Sequence, residues 1–163
     1  MSYKIQVGDA IPSFKAKDQE GNELFSEDFL GSPVVLYFYP KDDTPGCTKE
    51  ACDFRDYFED LSAYDVSVIG ISADSIQSHQ RFIEKNRLNF TLLSDENQEI
   101  CKKFGVLQIK EKEGKSYMGI ERTTFFVDRD GIVEWIERPV NVEGHLDRLI
   151  AAIRKYNREK PEE

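Results

Sequence analysis

With 163 residues, a net charge of −9, 33% charged and 39% hydrophobic residues, the chain has the size and composition of one soluble globular domain, not of a disordered or fibrous polypeptide. The acidic balance argues against nucleic acid and anionic membrane surfaces, which are bound through clustered Lys and Arg, so the expected partner is a neutral small molecule or a protein. The longest apolar run, VVLYFY at 34–39, is far too short to span a membrane, and the opening MSYKIQVGDAIPSFKAKD lacks the apolar core of a secretory signal.

In chain order, SFKAKDQEGNELFSED predicts a small N-terminal β-hairpin turning at EGN. VVLYFY (34–39) and VSVIGIS (66–72) have the β-branched and aromatic content of buried central strands. Between them Ala51, Phe54, Phe58, Leu61 and Tyr64 recur at three- and four-residue steps, the stripe of one amphipathic helix. SIQSHQRFIEKNR (75–87) predicts a second helix, FTLL (90–93) a short strand, and 96–104 a short helix capped by Gly105. KEKEGK (110–115) reads as a charged loop. RTTFFVDRDGIVEWIER (122–138) predicts a hairpin with DRDG as its turn. A last helix over 143–157 buries Leu146, Leu149, Ile150 and Ile153, and a charged tail, REKPEE (158–163), follows. No repeat or linker interrupts the chain. The expectation is a single α/β domain over 1–163, a central mixed β-sheet flanked by helices, with an added N-terminal β-hairpin.

Three cysteines, an odd number, without a secretory signal point to a reducing cytosol, where a cysteine pair is more often catalytic or metal-binding than a structural staple. In YPKDDTPGCTKEAC (39–52), Thr44 suits an N-cap and Pro45 the first helical position, which puts Gly46 and Cys47 in the first turn. Free backbone N–H groups and the positive end of the helix dipole favour a thiolate there. Cys52 lies five positions on. Along an α-helix that spacing separates the Cα atoms by about 8.7 Å and turns the side chains about 140° apart. A disulfide needs Cα atoms within about 7 Å, so the two sulfurs meet only if the turn unwinds. Such a pair suits a cycle with two conformations, one that oxidises Cys47 and one that captures the product with Cys52. A static dithiol reductant uses C-x-x-C, which this chain lacks.

These residues resemble the peroxiredoxins, specifically the Q subgroup or bacterioferritin comigratory proteins. Pro40, Thr44 and Cys47 fit the family pattern P-x-x-x-T-x-x-C within TPGCTKEACDFRD, and the likeness continues through GISADSIQSHQRF, FTLLSD and YMGIERTTFFVDRDG. The resemblance implies a thioredoxin-like fold, Cys47 as the peroxidatic and Cys52 as the resolving cysteine, Arg122 as the active-site arginine and Glu50 as the glutamate that orients it. Leu107 departs from the aromatic residue of many relatives, at a position with no catalytic role.

The implied activity is a thiol-dependent peroxidase for hydrogen peroxide and organic hydroperoxides, without metal, haem or flavin. Its partner is thioredoxin or a similar dithiol, and the expected state is a cytoplasmic monomer or weak dimer. Arg122 and the Thr44 hydroxyl suit the negative charge that builds on the departing oxygen, and Pro40, with no N–H, shields the thiolate. A free thiol is already a few per cent ionised at neutral pH, so full ionisation gains only about 30-fold, and any larger acceleration comes from donors gripping the O–O bond.

Taken alone, Thr44 also reads as a helix cap, Arg122 as a surface ion pair and Glu50 as an ordinary helix-face charge. Cys101 reads as a core residue, and His79 and His145 as isolated histidines without metal-ligand spacing. The competing readings are a thioredoxin-type disulfide reductase and a non-enzymatic redox sensor or chaperone-like binder.

Overall fold

The computed structural model describes residues 4–159; within 158–163, residues 160–163 lie outside the described part. Among the described residues nine strands, numbered β1 to β9 in chain order, and five α-helices follow one another, and seven of the strands form one mixed sheet in the order β2-β1-β5-β4-β3-β8-β9. At its centre β3 (Val34–Phe38) runs parallel to β4 (Ser67–Ser72), which runs parallel to β5 (Thr91–Ser94). The expected N-terminal hairpin is present as β1 (Lys15–Asp18) and β2 (Glu23–Phe25), and β1 extends the sheet antiparallel to β5. On the other side, β8 (Thr123–Val127) and β9 (Val133–Glu137) form the expected DRDG hairpin, with β8 antiparallel to β3.

The strand period of two divides β3 between two cores. Val34, Leu36 and Phe38 pack with Phe125 and with Ile100, Cys101 and Phe104 of the short helix α4 (Glu99–Lys103) and its C-terminal end. Val35 and Tyr37 pack on the opposite face against α1 (Pro45–Asp56), α2 (Phe58–Ala63), α3 (Ile76–Asn86) and α5 (His145–Glu159). Gly70 of β4 is the register partner of Tyr37, and a Cβ there would stand 2.9 Å from the Tyr37 ring and 2.7 Å from Leu92. Its absence lets that ring lie flat in the core and stack on Phe54 at 4.4 Å, which seats α1 over the sheet.

Two expectations are corrected. The continuous stripe from Ala51 to Tyr64 belongs to two helices, because Tyr57 leaves helical geometry at ψ 12° and its hydroxyl donates to Asp147. The break turns Phe58 outward, where it is 45% exposed while Leu61 stays buried. The segment 110–115 is not a loop: β6 (Leu107–Lys112) and β7 (Lys115–Ile120) form a separate two-stranded hairpin. Glu113 and Gly114 take positive φ (53° and 79°), the geometry of a tight I′-type turn that follows strand twist. The charges conceal these strands because both of their outer faces meet solvent.

Candidate active site

Cys47 sits in the first turn of α1 and is almost fully buried, although the preceding Pro45 and Gly46 are exposed. Thr44 is the N-cap residue, with extended backbone, but its side chain caps nothing. Its hydroxyl donates instead to the Lys41 carbonyl at 3.0 Å, which corrects the expectation of a capping hydroxyl. The first N–H groups of α1 are therefore left without a side-chain cap beside the sulfur. Half-buried Pro40 opens the loop that leads into this turn.

Arg122 reaches the helix from the short connection between β7 and β8. That connection is pinned where Glu121 N–H donates to Val106 and Val140 N–H donates to the Arg122 carbonyl. The guanidinium divides its fork. Nη2 donates to Cys47 Sγ at 3.3 Å, and Nη1 donates to Glu50 Oε1 at 2.7 Å. Cys47 and Glu50, three residues apart, share one face of α1, so one planar group can bridge them. Gly46 makes room for it, since a Cβ there would approach Arg122 Nη2 to 3.2 Å. Glu50 is completely buried, and this burial pushes its carboxyl up to about 7 against the pull of Arg122.

Cys52 is half-buried on the far side of α1, its Sγ 3.8 Å from Asn86 Oδ1 at the end of α3. Arg55 ties the same place together by donating to the Asn86 carbonyl at 2.7 Å. All three cysteines are free thiols, and α1 runs unbroken through both Cys47 and Cys52. Cys101 is in the opposite core, as expected; burial, then the nearby Asp95, pushes its thiol far up.

The histidines are not isolated. His79 is buried with Nδ1 2.7 Å from Asp42 Oδ2 and Nε2 3.0 Å from the Leu93 carbonyl. Asp42 also accepts from Tyr39 (2.6 Å) and Ser78 (2.8 Å), and its N–H donates to Asp74. This network fastens the loop carrying Pro40 and Thr44 to α3. Asp42, Asp74 and His79 offer ligand atoms within 4.8 Å of one another, but each of these residues is already engaged in hydrogen bonds. His145 is buried at the start of α5, with Nδ1 3.6 Å from Glu50 Oε2. Neither histidine could be placed from sequence, because each meets its carboxylate only across the fold; Glu50, an ordinary helix-face charge when taken alone, was singled out only by resemblance. Among the described residues no helix is long and apolar enough to cross a membrane.

The AhpC/TSA family model matches residues 7–136. Peroxiredoxin Bcp of Bacillus subtilis (strain 168) is 43% identical over 152 residues, covering 92% of this chain and 96% of its own. Peroxiredoxin Bcp of Escherichia coli (strain K12) is 41% identical over 152 residues, covering 93% and 97%. The solved structure of the Xanthomonas campestris bacterioferritin comigratory protein, described for its alkyl peroxide reduction activity, superimposes with a TM-score of 0.84. It is 34% identical and covers 91% of this chain and 99% of that one.

Proposed function

The chain belongs to the AhpC/TSA family and is a thiol-dependent peroxidase with the thioredoxin-like fold, and from that premise we propose that Cys47 is the peroxide-reacting thiol and Cys52 its resolving partner. The observation that carries this reading is the Arg122 fork, donating to Cys47 Sγ at 3.3 Å beside the open N-terminus of α1. The Cys47 thiolate attacks one oxygen of ROOH, the O–O bond breaks, and RO⁻ departs and takes up a proton. Cys47 is left as a sulfenic acid. Arg122 and the α1 N–H groups face the charge that develops on the oxygens, where fixed donors are worth most. Thr44 adds a hydroxyl oxygen not used in capping, Pro40 limits water access to the sulfur, and Glu50 fixes the plane of Arg122.

The Cys52 thiolate then attacks the sulfenic sulfur, giving the Cys47–Cys52 disulfide and releasing hydroxide, which is protonated to water. Since both cysteines lie on one wound helix, this step requires α1 to open over about 44–52. An external dithiol protein of the thioredoxin type returns both thiols. The substrates are hydrogen peroxide and organic hydroperoxides, in keeping with the alkyl peroxide activity named for the Xanthomonas campestris relative. The protein works as a single domain in the cytoplasm, as a monomer or weak dimer. The absence of C-x-x-C disfavours a general disulfide reductase, and a mere redox sensor would not turn over.

Peroxide consumption with thioredoxin and its reductase tests the assignment. Cys47→Ser abolishes turnover because a serine hydroxyl is barely ionised. Cys52→Ser permits a single oxidation and then stops, whereas Cys101→Ser turns over normally. Loss of turnover in Cys101→Ser with retention in Cys52→Ser would reassign the resolving thiol.

A further inference from the structure

Glu50 uses one oxygen and leaves the other without a partner. Oε1 accepts from Arg122, while Oε2 is buried and has no hydrogen bond. The same holds for both ring nitrogens of His145, whose side chain is 0% exposed, as is that of Glu50. Unpartnered buried polar atoms are uncommon in folded proteins, because each gives up its hydrogen bonds to water and regains none. Here two such groups face each other, Nδ1 at 3.6 Å from Oε2, a few tenths of an ångström beyond a hydrogen bond. The ring is held edge-on to Phe54 at 5.5 Å.

We propose that His145 is a positioning residue of the peroxidase site: it holds the free oxygen of Glu50, so that Glu50 keeps Arg122 aimed at Cys47. The proposal rests on the assignment of Cys47 and Arg122 above. A neutral imidazole suits the task because its Nδ1 either donates to a carboxylate or accepts from a carboxylic acid. The ring is neutral at neutral pH, since burial first of all lowers it to about 4 although Glu137 pulls the other way. The contact is therefore not a salt bridge. The charged groups acting on the pair are Arg122, Asp53 and Glu137 at Glu50, with Arg148 added at His145. Tyr37 belongs to the same pocket: its buried hydroxyl is unpartnered, and burial, then Glu50 and Cys47, raises it well above its ordinary value. Loss of the His145 nitrogen takes away the ring N–H that faces Oε2, and since a donor is worth more to the charged carboxylate than to the neutral acid, the carboxylate that Arg122 needs becomes harder to form.

The test compares full-length His145→Phe, which keeps a ring against Phe54, with His145→Asn, which restores an amide near the Nδ1 position. Stopped-flow oxidation of the reduced protein by hydrogen peroxide is expected to slow about tenfold in His145→Phe, and His145→Asn to recover most of that loss. In 13C-glutamate NMR the Glu50 carboxyl, which burial pushes up to about 7, is expected to move upward by about one further pH unit in His145→Phe and much less in His145→Asn. On a Glu50→Gln background, His145→Phe should add little, since residues acting through one contact are not additive. An unmoved Glu50 titration, a His145→Asn as slow as His145→Phe, or additive losses would each overturn the proposal. Cys47→Ser run alongside separates the two levels. An active Cys47→Ser breaks the site assignment, whereas an inactive Cys47→Ser beside an unaffected His145→Phe breaks only the role of His145.

Discussion

Two buried carboxylate–histidine pairs lie on the same face of the sheet, and they are built in opposite ways. Asp42–His79 is closed: 2.7 Å apart, with Tyr39, Ser78 and the Leu93 carbonyl engaging the remaining groups. Glu50–His145 is open, 3.6 Å apart, with an oxygen and two nitrogens left over. The closed pair fixes a loop to α3. The open pair stands behind the guanidinium that contacts Cys47. The fold puts rigidity at the closed pair and keeps an unsatisfied, titratable group at the open one. A saturated network holds the frame, and strain of this kind is tolerated where chemistry or movement needs it.

Isosteric amides should affect the two pairs in opposite directions. Asp42→Asn places an NH2 among hydroxyl and imidazole donors, so it is expected to lower unfolding stability by about 3 kcal/mol in urea melts of the reduced protein. Glu50→Gln removes a carboxylate that burial already disfavours, and it should leave stability unchanged or raise it. Equal losses in both variants would erase the distinction.

The pH dependence of those melts sharpens it further. Glu50 is raised from 4.5 to about 7 in the folded protein. The native state then holds a proton that the unfolded state has released, so its contribution falls as pH rises from about 4.5 to about 7. His145 is lowered from 6.5 to about 4. The unfolded state then holds the extra proton, so its contribution rises with pH over about 4 to 6.5. Each leg is at most about 3 kcal/mol, and in the parent they oppose each other. Relative to the parent, Glu50→Gln should gain stability as pH rises through this window and His145→Asn should lose it. Parallel curves for the two variants would mean that these groups do not titrate as their surroundings imply.

The smallest expected effect tests the space around the open pair. Gly46→Ala brings a Cβ to 3.2 Å from Arg122 Nη2, which must yield by a few tenths of an ångström. The rate of Cys47 oxidation should fall about threefold, while helix propensity holds or slightly raises the melting temperature. An unchanged rate would show that the fork tolerates displacement.

The local chemistry was written in the sequence. The position of Cys47 in the first helical turn, its spacing from Cys52, the core role of Cys101, the apolar strands and the DRDG hairpin all depend on near neighbours in the chain. Their period, propensity and turn residues are local properties. What depended on distant contacts was not legible. The hydroxyl of Thr44 turned from capping to Lys41, and the helix stripe broke at Tyr57, whose hydroxyl meets Asp147. The hairpin of β6 and β7 was hidden by solvent-facing charges that blur any period of two. Arg122 could be singled out only by resemblance, because nothing near it in the chain announces Cys47. His79 and His145 looked unattached for the same reason. A histidine's role is set by the carboxylate that packing brings to it, and packing set His145 of α5 beside Glu50 of α1.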